Sequence, residues 1–172
     1  MEVNDRFVYK EINTPVGLIH IVATEKGLSG LLWEGENYIR TKLPTANYDE
    51  QAPILIQTEL QLKEYFAKQR KVFDVPLDFK GTAFQVKVWK ALLQIPYGTT
   101  ITYGQLAQQL GDIKAVRAVG GALNKNPIAI IAPCHRIIGK SGKLVGFAGG
   151  LCNKSILLDL EQRCRTPTLF DS

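Results

Sequence analysis

The most reactive group in this sequence is a cysteine that stands beside a histidine and an arginine. Cys134, His135 and Arg136 directly follow an apolar run, residues 127–133, with a proline at each end. Such a run is expected to be buried and extended, so it would deliver the three side chains at the edge of a core. A nearby cation or histidine can lower a thiol pKa below its free value of about 8.5. The pattern therefore indicates nucleophilic chemistry at Cys134.

His135 is the natural partner of that thiol, because the other histidine, His20, lies in an alternating β segment and is better explained as structural. Neighbours on a strand point to opposite faces, so contact between Cys134 and His135 requires a turn or a bridging water molecule. Glu161, near the end of a final predicted helix, could orient the imidazole and complete a Cys–His–Glu set. Spacing alone equally allows Glu161 to be a surface residue.

Cysteine usage and composition exclude several other classes of protein. The three cysteines, Cys134, Cys152 and Cys164, form no regular pattern, and no CxxC or HxxxH pair is present. We therefore expect no disulfide framework, no metal site and no cofactor. No apolar run approaches the roughly 20 residues of a membrane span, and the N-terminus has no apolar core of a signal peptide. The expectation is an intracellular, cytoplasmic protein without a membrane partner.

The charge of the chain is distributed unevenly between its two halves. Residues 1–80 contain 10 Lys/Arg and 12 Asp/Glu, a net −2, whereas residues 81–172 contain 11 Lys/Arg and 4 Asp/Glu, a net +7. So basic a segment suggests a polyanionic partner, with nucleic acid as the first candidate. A solvated basic surface without a partner would explain the charge equally well.

The predicted elements divide the chain into two domains at about residue 80. Residues 1–80 read as an α/β domain, with an antiparallel meander over 7–33 and a helix over 53–69. Residues 81–172 read as a mainly helical domain, opened by Thr82 and Gln85 at capping-box spacing. The predicted fold class is therefore mixed α/β, with the helical domain carrying the reactive cysteine.

A helix-turn-helix is predicted in the second domain. Residues 102–110 form a helix that begins at the Thr102 cap, residues 111–113 a tight glycine turn, and residues 114–125 a second helix. One face of the second helix is basic and nearly bare of side chains, which suits the narrow minor groove better than base reading in the major groove. The alternative is that its small residues allow tight helix packing. The residues on or beside this face are Lys114, Arg117, Ala118, Gly121, Ala122 and Lys125.

These residues resemble a known family. The run Pro-Cys-His-Arg-Ile at 133–137 is similar to the active-site motif of the O6-alkylguanine-DNA alkyltransferases, also called methylated-DNA–protein-cysteine methyltransferases. The resemblance extends from about Phe84 to Glu161, and the first 80 residues fit the family's α/β domain in outline. It includes Tyr103, residues 117–122, Asn126-Pro127 and residues 149–151.

The resemblance implies a repair reaction that each molecule performs once. Cys134 would accept the alkyl group of O6-alkylguanine, or O4-alkylthymine, and become an irreversible S-alkylcysteine. His135 would take the thiol proton through a water molecule, Glu161 would orient His135, and Asn126 would steady the active-site turn. Tyr103 would help rotate the phosphate and donate a proton or hydrogen bond to the departing base.

The resemblance also implies how damaged duplex DNA is bound. A single chain would bind the minor groove without sequence preference, and the target nucleotide would be flipped out because a thiol cannot reach a stacked base. Arg117 would fill the gap that this nucleotide leaves. The base would then lie against Tyr103, Ile137, Phe147 and Ala148. The residues predicted to contact DNA are Thr102, Lys114, Arg117, Ala118, Gly121, Ala122, Lys125 and Arg136.

Two features depart from the family pattern. Phe147 stands where many members carry tyrosine, so the aromatic wall of the pocket remains but its hydroxyl is absent. The cysteine and histidine ligands of the metal sites described in some members are also absent.

Three alternative functions compete with alkyl transfer. A non-enzymatic binder of damaged DNA with the same fold would lack the acceptor cysteine, which is present here. A Cys–His hydrolase would regenerate Cys134 from a thioester, and a plain helix-turn-helix regulator would offer base-reading side chains. Locating the methyl group after incubation with methylated duplex DNA separates all three from the alkyl-transfer hypothesis.

Overall fold

The computed structural model of the protein describes residues 6–34, 46–140 and 150–162. These residues form a mixed α/β structure, which confirms the predicted fold class. No helix in these ranges is long and apolar enough to cross a membrane.

The alternating segments of the first half form the predicted antiparallel meander. Ile12 lies opposite Ile19, and Ile21 lies opposite Leu31, so the apolar residues of neighbouring strands share one buried face. A short fourth strand pairs in parallel with the first and gives the sheet order β3-β2-β1-β4. The strands are β1 (Val8–Thr14), β2 (Gly17–Ala23), β3 (Leu28–Trp33) and β4 (Asn47–Tyr48).

Helix α1 (Pro53–Phe66) covers this sheet. It begins with a proline, whose missing N–H is harmless in the first turn of a helix. Its buried residues include Leu55, Leu62 and Tyr65. The helix is shorter than predicted because Lys68 adopts a left-handed conformation, with φ of 63°, just beyond its C-terminus.

The second half contains the predicted capping box at Thr82, the predicted helix cap at Thr102 and the predicted helix-turn-helix. Thr82 caps α2 (Ala83–Leu92), and Thr102, the last residue of β5 (Ile101–Thr102), caps α3 (Tyr103–Gln109) in the same way. Gly111, with φ of 95°, then turns the chain. The predicted second helix begins as a 3-10 turn, Ile113–Ala115, and continues as α4 (Val116–Asn124).

The apolar run before Cys134 is buried as predicted, but the prediction of an extended strand is wrong. Only Ile128 bridges to the sheet, next to Leu31, and Ile130 then turns back with φ of 73°. Asn126 explains the difference, because its amide donates to the Ala132 carbonyl at 2.9 Å and its oxygen accepts the Ile128 N–H at 3.0 Å. These side-chain bonds replace the ladder that a strand would need.

The run ends in a 3-10 turn, Cys134–Arg136, followed by β6 (Ile137–Ile138), which pairs in parallel with β5. The last helix is α5 (Leu151–Gln162), and Glu161 lies near its end.

Two apolar clusters form the core, and Cys134 packs at the edge of both. The first lies between the sheet and α1, and it also takes in Ile128, Ile131 and Leu157 from the second half of the chain. The second lies among α2, α3 and α4 and contains Trp89. The acceptor turn is therefore held where the two clusters meet.

Asn126→Ala should destabilise the protein, because it leaves the buried Ile128 N–H without a partner and removes one of the two hydrogen bonds that the Ala132 carbonyl accepts. An unsatisfied buried group costs about 1–3 kcal/mol, so the expected loss is about 1–3 kcal/mol. Urea unfolding followed by circular dichroism measures it. Lys125→Ala, which changes the exposed residue next to Asn126, should stay within about 0.5 kcal/mol. Equal losses in the two variants would contradict the structural role of Asn126.

Candidate active site

A buried carboxylate, Glu161, is the centre of the site. Its Oε2 accepts hydrogen bonds from the Tyr65 hydroxyl and His135 Nε2, both at 2.6 Å, and from Arg136 Nη2 at 3.0 Å. Its Oε1 accepts from Arg136 Nε at 2.8 Å and from the Gly98 N–H at 3.3 Å. The residue is 1% exposed, so the alternative of a surface glutamate is wrong.

Glu161 is ionised at neutral pH. Burial alone would raise the pKa of this carboxyl group, but the hydrogen bonds from His135 and Arg136 and the positive charge of Arg136 outweigh burial and hold the pKa far below its usual range. The anion then fixes the orientation of every donor around it.

Arg136 is the counter-charge of Glu161 rather than a surface residue. It is 6% exposed, and its Nη1 donates to the Ile95 carbonyl at 2.6 Å. Its guanidinium also lies over the Tyr97 ring, 5.8 Å from the centroid. This burial corrects the expectation that Arg136 contacts DNA, because its donors face the interior of the protein.

His135 is held as a neutral base. Burial lowers its imidazole pKa against the opposing effect of Glu161, and the positive charges of Arg136 and Lys154 lower it further. Because ionised Glu161 can only accept, Nε2 must carry the proton of the neutral ring, which leaves a lone pair on Nδ1. Nδ1 is buried and has no hydrogen-bond partner among the described residues. The imidazole is therefore ready to accept a proton at Nδ1.

Cys134 lies at the start of the 3-10 turn and is partly exposed. In a strand, the side chains of Cys134 and His135 would point to opposite faces. The 3-10 turn removes this alternation. Tyr103, the first residue of α3, is close enough to be affected by the thiol. Burial raises the pKa of its hydroxyl, and a charge on Cys134 raises it further.

The exposed face of α4 carries most of the residues predicted to contact DNA. A Cβ placed on Gly121 would meet nothing within 4 Å, so internal packing does not require a small residue there. Tight helix packing therefore does not explain the small residues on the exposed face of α4. Ala122 differs: it is 3% exposed, and its carbonyl accepts the Trp89 indole N–H at 2.8 Å, which removes it from the predicted DNA contacts. The exposed members are Lys114, Arg117, Ala118, Gly121 and Lys125.

The predicted base pocket is only partly within the described residues. Tyr103 lies beside Cys134, whereas Phe147 and Ala148 lie outside the described ranges. Ile137 is fully buried, its N–H donates to the Cys134 carbonyl, and its own carbonyl accepts from Lys154 Nζ at 2.6 Å. The main chain of Ile137 thus already makes hydrogen bonds within the protein.

Sequence reasoning missed two polar residues of the site. Tyr65 has an apolar environment on α1, and no local pattern relates it to Glu161. Lys154, by contrast, carried a signal: on α5 it shares the helical repeat of Leu157, Leu158 and Glu161, which are all buried. A charged residue in register with an apolar face indicates a buried charge.

A nucleophilic cysteine, a neutral histidine oriented by a buried carboxylate and an adjoining helix-turn-helix define the class of this protein. It is a cysteine-nucleophile protein built on a nucleic-acid-binding module.

Comparison with known proteins identifies the family. Residues 7–79 match the family model described as 6-O-methylguanine DNA methyltransferase, ribonuclease-like domain, and residues 83–163 match the DNA binding domain of the same family. The chain therefore belongs to the 6-O-methylguanine DNA methyltransferase family, which confirms the resemblance carried by the Pro-Cys-His-Arg-Ile motif.

Individual relatives agree over nearly the whole chain. The methylated-DNA–protein-cysteine methyltransferase of Mycolicibacterium paratuberculosis is 42% identical over 95% of this chain and 98% of its own length. The protein of that name from Methanosarcina acetivorans is 45% identical over 91% of this chain and 99% of its own length. Among solved structures, Mycobacterium tuberculosis OGT in complex with DNA matches with a TM-score of 0.82 and 44% identity, covering 91% of this chain and 93% of that one.

Glu161→Gln should destabilise the fold strongly, because it leaves the buried guanidinium of Arg136 without its counter-charge. The expected loss is about 3–5 kcal/mol at pH 7, measured by urea unfolding. Tyr65→Phe removes one donor and leaves the ion pair, so it should lose only about 1 kcal/mol.

The pH dependence provides a further check on Glu161. A carboxyl group with a lowered pKa stabilises the fold above its unfolded pKa of about 4.3, and this stabilisation is lost as the pH falls. The stability difference between the parent protein and Glu161→Gln should therefore shrink below about pH 4. A difference that stays constant with pH would show that Glu161 does not act through its charge.

Proposed function

We propose that this protein repairs DNA by moving an alkyl group from O6 of guanine, or O4 of thymine, onto Sγ of Cys134. The observation that carries the proposal is the buried His135–Glu161 pair immediately behind a partly exposed cysteine. Membership of the 6-O-methylguanine DNA methyltransferase family supports the same chemistry. The proposed acting unit is one chain, because all these residues come from a single molecule.

The proposed reaction begins with proton transfer from the Cys134 thiol to Nδ1 of His135 through a water molecule. The thiolate attacks the alkyl carbon, an S–C bond forms, and the bond from that carbon to the base oxygen breaks. The base leaves with the electron pair and takes a proton from the Tyr103 hydroxyl. The proton that His135 took from the thiol returns through solvent to the Tyr103 phenolate, and the products are a thioether at Cys134 and an unmodified base.

The pKa of the Tyr103 hydroxyl falls during this reaction, which favours proton donation to the departing base. A charge on Cys134 raises the pKa of Tyr103, which makes the hydroxyl a poorer proton donor before transfer. Once the thiolate has become a neutral thioether, this effect is gone, and burial alone still raises the pKa. Proton donation therefore becomes easier as the base departs.

DNA binding is assigned to the exposed face of α4. Ala118 and Gly121 allow the helix backbone to approach the minor groove closely, while Lys114 and Lys125 lie near the two ends of the helix, where they can contact phosphates. Arg117 is proposed to enter the stack in place of the flipped nucleotide. Binding of this kind is independent of base sequence and weakens as salt increases.

Thr102 is also proposed to contact a phosphate. Its Oγ1 accepts the Gln105 N–H at 3.1 Å as the cap of α3. The hydroxyl proton is not used by that bond and is available for donation to a phosphate oxygen.

Repair should stop after one alkyl group per chain. A thioether carbon has no carbonyl for water to attack, so Cys134 is not regenerated. Protein incubated with excess O6-methylguanine duplex should plateau at no more than one equivalent, with the methyl group on the Cys134 peptide by mass spectrometry. Cys134→Ala should bind DNA but transfer nothing. Turnover beyond one equivalent would support a hydrolase, and a label on Cys152 or Cys164 would refute the assignment of Cys134.

Arg117→Ala should slow repair of duplex DNA far more than reaction with the free O6-methylguanine base. Unstacking a base costs a few kcal/mol, and the free base avoids that cost. The matched control is Lys125→Ala, which removes a positive charge from the same helix and should weaken affinity only. At saturating DNA the Lys125 variant should recover the parent rate, whereas the Arg117 variant should remain slow. Equal losses on duplex and free base would remove the proposed role of Arg117.

A further inference from the structure

Lys154 is a buried cation that the proposed chemistry does not use. It lies on α5, is 0% exposed, and donates from Nζ to the Ile137 carbonyl at 2.6 Å. Burial of an ammonium group is unfavourable unless neighbouring groups compensate for the lost hydration. Burial accordingly lowers the pKa of Lys154, whereas a negative charge on Cys134 raises it.

The hydrogen bond connects Lys154 to the acceptor turn itself. Ile137 ends the 3-10 turn that begins at Cys134, and its N–H donates to the Cys134 carbonyl. One ammonium group therefore holds the far end of the turn that presents the thiol. A change at Lys154 therefore acts on Cys134 through one intervening residue, Ile137.

The charge of Lys154 also reaches the reacting groups. A negative charge on Cys134 raises the pKa of Lys154, so by reciprocity the ammonium favours the thiolate over the thiol. The same ammonium opposes protonation of His135. Among the other groups near Cys134, Tyr103 on α3 is polar and neutral, and Arg136 in the turn is paired with Glu161 on α5. Arg136 is thus engaged by Glu161, whereas the charge of Lys154 acts on the thiol.

We propose that Lys154 is a positioning residue for alkyl transfer, which fixes the acceptor turn through the Ile137 carbonyl and favours the ionised form of Cys134. The inference deepens the proposed function and rests on Cys134 as the acceptor. Lys154 neither binds the base nor exchanges a proton during transfer.

Alkylation of Cys134 by iodoacetamide tests the proposal without DNA. The rate at the Cys134 peptide, measured by mass spectrometry from pH 4 to pH 10, gives the pH midpoint of the thiolate. Lys154→Met retains much of the side-chain length but lacks the charge, and its midpoint should lie about one pH unit or more above the parent value. At a pH below both midpoints, a midpoint one pH unit higher should make the variant react about tenfold more slowly than the parent. Lys154→Arg should bring the midpoint most of the way back to the parent value.

Lys90→Met is the matched control, because it removes one exposed positive charge from the same half of the chain. Its midpoint should stay within a few tenths of a pH unit of the parent value. A merely structural role for Lys154 would lower the rate at every pH without moving the midpoint, and that result would overturn the proposal.

A measurement on the parent protein applies even if the variants do not fold. With lysine labelled at Cε, nuclear magnetic resonance follows the titration of Lys154 before and after Cys134 is alkylated. The pKa of Lys154 should fall on alkylation because the neighbouring negative charge is lost, and an unchanged value would overturn the proposal. Methyl transfer from DNA, measured on the same samples, tests the proposed function separately, since neither titration requires DNA.

Discussion

Everything at the site depends on keeping one carboxylate ionised in the interior of the protein. Glu161 lies beyond the reach of water, and such an anion is stable only if protein donors replace its hydration. Those donors come from α1, from the Gly98 loop and from the turn that holds His135 and Arg136. A requirement of electrostatics thus becomes a requirement of folding, because three remote segments must meet before the carboxylate can be buried. The first half of the chain supports the active site, because Tyr65 of α1 donates one of these hydrogen bonds to Glu161.

The same requirement determines which chemical form of each neighbour is present. Ionised Glu161 directs the proton of His135 to Nε2 and leaves Nδ1 as the base. Arg136 is paired with Glu161, and the charge of Lys154 favours the ionised form of Cys134. In the proposed reaction, once the imidazole holds the thiol proton, the two anions Glu161 and the Cys134 thiolate face the cations Arg136, Lys154 and the His135 imidazolium.

Local signals in the sequence predicted the elements well, because their causes are local. The meander follows from alternation, and both capping boxes follow from residues three positions apart. The strand predicted over 127–133 failed because Asn126 satisfies the backbone with its side chain, an effect that apolar periodicity does not reveal. Tyr65 could not be predicted, since 96 positions separate it from Glu161. The predicted DNA contacts of Arg136 and Ala122 are wrong because the sequence does not show whether a basic residue, or a residue at the margin of a helix face, points to solvent or to the core.

Gly120 and Gly121 make α4 less stable in the free protein, although the surrounding structure does not require glycine at either position. At both Gly120 and Gly121 a methyl group would meet nothing within 4 Å, and neither residue is in the left-handed conformation that favours glycine. Alanine in a helix interior is more stable than glycine by about 1 kcal/mol at each position. A variant selected only for thermal tolerance would therefore gain by filling these positions, and at Gly121 it would do so on the face of α4 that is proposed to approach DNA. Resistance to heat and the proposed approach to DNA are opposing demands on Gly121.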